Sequence, residues 1–137
     1  KINKFNNEDL KILNKFTDNL DNIRDEVDKQ NINFYIDFIV NALFEANKYF
    51  NDQEPWKKKE DLNRLNTIVY TSLEVIRKIS FMLYPIIPQT IDKVLKIFNL
   101  DSNSISLETI ASHDKLKSGD PINKIDILFK KIEKKND

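Results

Sequence analysis

An all-α fold is what this sequence predicts, and three observations carry that expectation. Its 137 residues include one glycine and four prolines, too few turn formers for the many short strands of an all-β chain. Apolar residues recur at steps of three and four over long stretches, the period of a helix that buries one face. Polar or proline-bearing breaks separate those stretches at helix-sized intervals. A chain of this length supports one domain with its own core. The expectation is a single domain over residues 1–137, a helical bundle of four to five main helices with a C-terminal arm.

The elements follow in order. Lys1 to Asn7 is polar, with Ile2 and Phe5 as candidate anchors. A first helix begins at about Asn7 or Glu8 on the stripe Leu10, Leu13, Phe16, Leu20, Ile23 and Val27. The acidic Glu8-Asp9 pair in its first turn suits the helix dipole. Polar Asp28-Lys29-Gln30-Asn31 ends it and offers Asn31 as the next N-cap. A second helix runs from about Ile32 to Asn51 on Ile32, Ile36, Ile39, Leu43, Ala46 and Phe50, widened by Tyr35, Phe38 and Val40. So broad a stripe implies more than one neighbour. Pro55 biases Glu54 away from helical geometry and ends that helix. The third and longest helix spans about Lys59 to Leu83, carrying Leu62, Leu65, Ile68, Val69, Leu73, Ile76, Ile79 and Leu83. Pro85 interrupts it, and Pro88 suits the first turn of a fourth helix ending near Phe98. Residues 102–119 read as a looser tail with a short turn over Leu107 to Ala111. Gly119-Asp120-Pro121 then introduces a last apolar segment, Ile122 to Ile132.

Composition excludes several chemistries. Without cysteine there is no disulfide or thiolate metal site, and a single histidine, His113, cannot build a histidine cluster. One glycine cannot make a phosphate-cradling loop. Carboxylate pairs such as Asp25-Glu26 read as solvated charge, and His113 reads as a surface residue in a polar stretch. No catalytic or metal-binding residue is assigned. Acidic and basic residues both number 22, so no global basic field attracts DNA or a membrane surface, and any RNA contact is local. No apolar run approaches the roughly 18 residues of a membrane span. The sequence opens on lysine without a signal peptide. A cytoplasmic piece of a longer polypeptide is expected.

One corner invites a functional reading. The only tryptophan, Trp56, follows Pro55 directly, with Asn47, Tyr49 and Asn51 behind it and Lys57, Lys58 and Lys59 ahead. An indole on a proline-stiffened corner beside amides and cations suits stacking of an unpaired base. The plainer reading is that Trp56 fills the core, Asn47 and Asn51 cap a helix, and the lysines open a solvated helix that Glu60-Asp61 continues. Spacing alone leaves both open.

Short motifs taken in order decide between them. Ala46-Asn47-Lys48-Tyr49, then Pro55-Trp56, then a long helix closing in Tyr84-Pro85-Ile86-Ile87-Pro88, resemble the C-terminal anticodon-binding domain of methionyl-tRNA synthetases, which are class I aminoacyl-tRNA synthetases. Ile2-Asn3-Lys4-Phe5 looks like the end of that family's first anticodon-domain helix. Ile127-Leu128-Phe129-Lys130-Lys131-Ile132-Glu133 looks like its closing segment, with Lys130 where the family often has proline. The resemblance covers nearly the whole chain. It implies a bundle that reads the CAU anticodon of methionine tRNA, with Trp56 stacked on an anticodon base and Pro55 fixing it. Asn47 and Tyr49 match the helix motif as supporting contacts, and Lys57 and Lys58 would add a phosphate contact. The family's base-edge readers, an asparagine and an arginine four residues apart, belong before Lys1. The His-Ile-Gly-His and Lys-Met-Ser-Lys-Ser signatures, which handle ATP, do not occur here. The resemblance therefore implies a parent catalytic domain using ATP with magnesium, and no cofactor in this chain. The alternatives are a helical protein-interaction or scaffold domain, and the anticodon domain of a sister class I synthetase.

Overall fold

The helices start where short polar side chains can take up the amides that a first turn leaves open. The computed structural model describes residues 4–113, 115–125 and 127–129. Among them the order is α1 (Asn7–Asp28), α2 (Ile32–Gln53), α3 (Leu62–Leu83), α4 (Pro88–Ile97) and α5 (Leu107–Ala111). Single 3-10 turns stand at Pro55–Lys57 and Ser102–Ser104. The caps are Asn6 for α1, Asn31 for α2, Asp61 for α3 and Ser106 for α5, each accepting a first-turn amide. Pro88 occupies the first turn of α4, where its missing N–H costs nothing. Two boundaries differ from expectation. α2 runs on to Gln53, and α3 starts at Leu62 rather than Lys59, because the 3-10 turn and the Asp61 cap take up the residues between.

α1, α2 and α3 pack around a shared core of Leu13, Phe16, Ile39, Ala42, Ile68, Val75 and Ile79. α2 and α3 are antiparallel: the Tyr35 hydroxyl near the start of α2 donates to the Met82 carbonyl near the end of α3. At the other end, Arg64 of α3 donates to Gln53 of α2. α4 lays Ile91 and Leu95 on this core, and α5 adds Ile110. Phe5, one of the expected anchors, stacks on Tyr70 at 6.3 Å. Ile2 lies outside the described residues, as does the end of the last apolar segment. The described part of that segment is not helical, and Ile122, Ile125, Ile127 and Phe129 are exposed.

The broad stripe of α2 is only half buried. Phe38, Ile39, Ala42 and Tyr49 face inward, whereas Ile32, Ile36, Val40 and Leu43 are exposed. On α3, Leu62, Val69 and Ile76 are exposed in turn. Around α2, Phe38 points to α1 and Tyr35 to α3, and the exposed residues come next in helical rotation. Around α3, Val69 opens with Leu65 and Leu73 onto a cavity lined also by Phe98 and residues 116–122.

Charged residues are buried where periodicity predicted only a stripe. Glu74, Arg77 and Lys78 of α3 are all inaccessible, and they fasten the chain after α4. Arg77 pairs with Glu74 at 2.8 Å and donates to the carbonyls of Thr109 and Ser112. Lys78 donates to the carbonyls of Ile110 and Ser112, and Glu74 accepts from the Leu116 amide. Burial first, and then the Arg77 charge, push the Lys78 amine down to about 8. His113, expected at the surface, is half-buried and bonds Asn14 at 2.8 Å. Among the described residues no helix is long and apolar enough to cross a membrane.

Candidate nucleic-acid interface

The corner between α2 and α3 is made stiff by its backbone. Glu54, a non-glycine residue, sits in the left-handed region at φ 45° and ψ 57°, a conformation that costs about 1–2 kcal/mol. Its amide donates to the Asn51 carbonyl and its carbonyl accepts from the Lys57 amide. Its carboxylate takes the Lys57 ammonium at 2.7 Å. Pro55 is buried directly beneath this turn, so its locked φ cannot relax outward. Trp56 then emerges 51% exposed. Its ring meets Phe50 at 6.2 Å between centroids, tilted by 59°. A half-exposed indole is not a core filler.

A polar cluster underneath holds the corner to α1. Asp9 is fully inaccessible and takes both arms of the Arg64 guanidinium, at 2.6 and 2.9 Å. The Tyr49 hydroxyl and the Asn6 amide donate to the same carboxylate. Arg64 also reaches Gln53 at the end of α2. Burial alone would raise the Asp9 pKa; the hydrogen bonds from Arg64, Tyr49 and Asn6 outweigh it and hold the carboxyl below its usual range. Tyr49, desolvated and facing that carboxylate, is pushed well above the ordinary phenol value.

The expected site residues separate into two groups. Trp56, Asn47 and Lys57 are exposed, and Lys58 is half-exposed. Pro55 and Tyr49 are buried, so what they contribute is the shape of the corner. Lys57 is already paired with Glu54, while Lys58 and Lys59 have no carboxylate within ion-pair distance among the described residues. Asn47 and Asn51 do not cap α2 with their side chains, since neither amide has a hydrogen-bond partner among the described residues. Sequence reasoning missed three parts of this region. Phe50 was counted as core, Asp9 as a dipole partner only, and Arg64 not at all. A charge within an apolar period, as at Asp9 beside Leu10, is the one signal that pointed to the buried pair.

Comparisons with known proteins follow the same line. Residues 2–137 match the family model described as the anticodon binding domain of methionyl tRNA ligase. The methionine–tRNA ligase of Thermotoga maritima is 31% identical over 124 residues, covering 89% of this chain and 20% of that protein. The methionine–tRNA ligase of Clostridium tetani is 30% identical over 128 residues, covering 91% of this chain and 20% of the relative. The chain thus spans about a fifth of the length of these curated relatives. Among solved structures, the free-state Mycobacterium tuberculosis methionyl-tRNA synthetase superposes with a TM-score of 0.85 over 97% of this chain and 27% of its own. Its sequence identity is 24%, so that likeness speaks for the fold.

Proposed function

This chain belongs to the family of anticodon-binding domains of methionyl-tRNA ligases, and we propose that it reads the anticodon loop of methionine tRNA by stacking an unpaired base on Trp56. The observation that carries this reading is the half-exposed indole on a corner whose other parts are buried or bonded. An anticodon loop presents bases that can be splayed out, and an aromatic face supplies about 1–3 kcal/mol per stacked base. A corner fixed beforehand loses little entropy when the base arrives. Lys58 and Lys59, which have no ion pair among the described residues, add attraction to the loop phosphates that weakens with salt.

The other partners belong to the same proposal. The relatives are about five times as long as the chain, so methionine activation with ATP and magnesium is assigned to the rest of a ligase polypeptide. The exposed apolar flanks of α2 and α3 offer a surface on which that remainder can pack. The protein would work in the cytoplasm, where charged tRNA is used.

Trp56→Ala in the complete ligase tests the reading. The expected result is a loss of about 5- to 150-fold in kcat/KM for tRNA, the equivalent of one lost stack, with ATP-dependent methionine activation unchanged. A folded variant that loses both activities together would show that Trp56 serves the catalytic part instead.

A further inference from the structure

The cavity beside Val69 has one wall from α3 and another from a segment that is fastened at both ends. Leu65, Val69 and Leu73 lie at i, i+4 and i+8, a single face of α3, and residues 116–122 stand across from them. At the near end of that segment the Tyr70 hydroxyl donates to the Leu116 carbonyl, and the Leu116 amide donates to buried Glu74. At the far end the Asn99 carboxamide donates to the Pro121 carbonyl at 3.1 Å, and the Asn123 amide to the Ile97 carbonyl at 3.0 Å. Tied in this way, the segment leaves a space of about 420 Å³ against α3, within the range of about 300–1,000 Å³ usual for small-molecule sites. Phe98 and Ile122 extend its apolar wall.

Only two of the residues lining this space are charged, Lys117 and Asp120, and they hold the first and last positions of one turn. The Asp120 amide donates to the Lys117 carbonyl at 3.2 Å, which keeps their Cα atoms within about 7 Å of each other. Gly119, at the third position, has φ 96°, the left-handed region that such a turn reserves for glycine. A Cβ there meets nothing within 4 Å, so conformation rather than space requires the glycine. Neither Lys117 nor Asp120 has an ion-pair partner among the described residues. We propose that the cavity binds an apolar α-amino acid as its zwitterion. Lys117 takes the carboxylate, Asp120 takes the ammonium, and the face of α3 receives the side chain. One cation and one anion on the same rim, above an apolar wall, complement that class of ligand. A simple carboxylate leaves Asp120 unmatched and repelled, and a simple amine does the same to Lys117. The Asn66 carboxamide, also in the lining, has both an acceptor and donors for the remaining head-group atoms. The site shares no lining residue with the tryptophan corner, and the proposal does not depend on the anticodon reading.

Gly119 is the only glycine, so a chain labelled with isotopic glycine carries a single glycine amide signal in NMR, placed in the turn itself. The 137-residue chain is titrated with L-leucine and L-methionine. Three controls each lack one feature: isocaproate has no amine, isoamylamine no carboxylate, and L-alanine almost no side chain. The signal is expected to move saturably with both amino acids and to respond at least about tenfold more weakly to each control. Lys117→Ala and Asp120→Ala should each weaken L-leucine by a similar factor. Val69→Phe, which fills the cavity, should abolish the response while helix content and tryptophan emission stay as in wild type. A wild-type signal that ignores both amino acids overturns the site. Isocaproate or isoamylamine binding as tightly as L-leucine, or unchanged affinity in either charge variant, overturns the zwitterion assignment. Unchanged affinity in a folded Val69→Phe chain overturns the cavity as the place where the side chain goes.

Discussion

Asp9 shows how much one buried charge decides. A carboxylate without accessible surface is costly unless it is paired and fully hydrogen-bonded. Here it receives a forked guanidinium, a phenol and a backbone amide. Replacing the carboxylate with a carboxamide removes the charge opposite Arg64 and turns one of the two acceptor oxygens into a donor facing donors, so Asp9→Asn is expected to lower unfolding stability by about 3 kcal/mol. The pH dependence carries a definite sign. The folded pKa lies below the ordinary aspartate value, so the stabilisation is present above that ordinary value and is lost as pH falls through the folded one. Urea unfolding of both proteins between pH 7 and pH 2 checks this. Wild type should lose its advantage over Asp9→Asn only in the acid limb. A constant gap across the range would rule the linkage out.

Among the elements, α3 does two jobs with opposite ends. Its first turn carries Arg64 and anchors the Trp56 corner. Its second half carries Glu74, Arg77 and Lys78, which receive backbone groups of Thr109, Ile110, Ser112 and Leu116. Thr109 and Ile110 lie in the short helix α5, and Ser112 and Leu116 lie outside any helix, so these backbone groups need partners from elsewhere. Lys78→Met keeps most of the apolar stem but leaves the Ile110 and Ser112 carbonyls short of a donor. The expected cost is about 1–3 kcal/mol, with limited proteolysis moving to the 112–122 stretch while α1 to α3 stay protected. Digestion of the whole bundle at one rate would show that the tail and the three-helix core unfold as a single unit. The corner itself, far along α3, should keep its tryptophan emission in this variant.

For the molecule as a whole, the exposed apolar flanks are the feature that the single chain does not account for. Ile32, Ile36, Val40 and Leu43 are exposed along α2, and Leu62, Val69 and Ile76 along α3. Exposed apolar surface of this extent marks a contact site. With that site unoccupied, the 137-residue chain is expected to self-associate as its concentration rises. The double variant Ile36→Lys, Ile76→Glu should remain monomeric in sedimentation velocity with unchanged helix content. A wild-type chain that sediments as a monomer at every concentration would remove this surface from consideration as an interface.

Much of the architecture was legible in the sequence by itself. The number of helices, their order, the cap at Asn31, the first-turn proline Pro88 and the break at Pro55 all follow from local chemistry, because amide satisfaction and proline geometry are decided within a few residues. The motif order around Pro55-Trp56 was likewise sufficient to indicate the family. Which face of each helix is covered was not legible. Leu43 and Ile39 belong to the same periodic pattern, yet one is exposed and the other buried, since burial depends on where a neighbouring helix comes to rest. Asp9, Arg64 and Lys78 read as ordinary surface charges until residues 40 to 55 positions apart, or a tail carbonyl, are brought to them. Composition favoured Trp56 as core filler, and the order of the motifs around it favoured a platform. Its exposure was decided only by the tertiary structure, which buries Pro55 and Tyr49 at the corner and leaves the indole half at the surface.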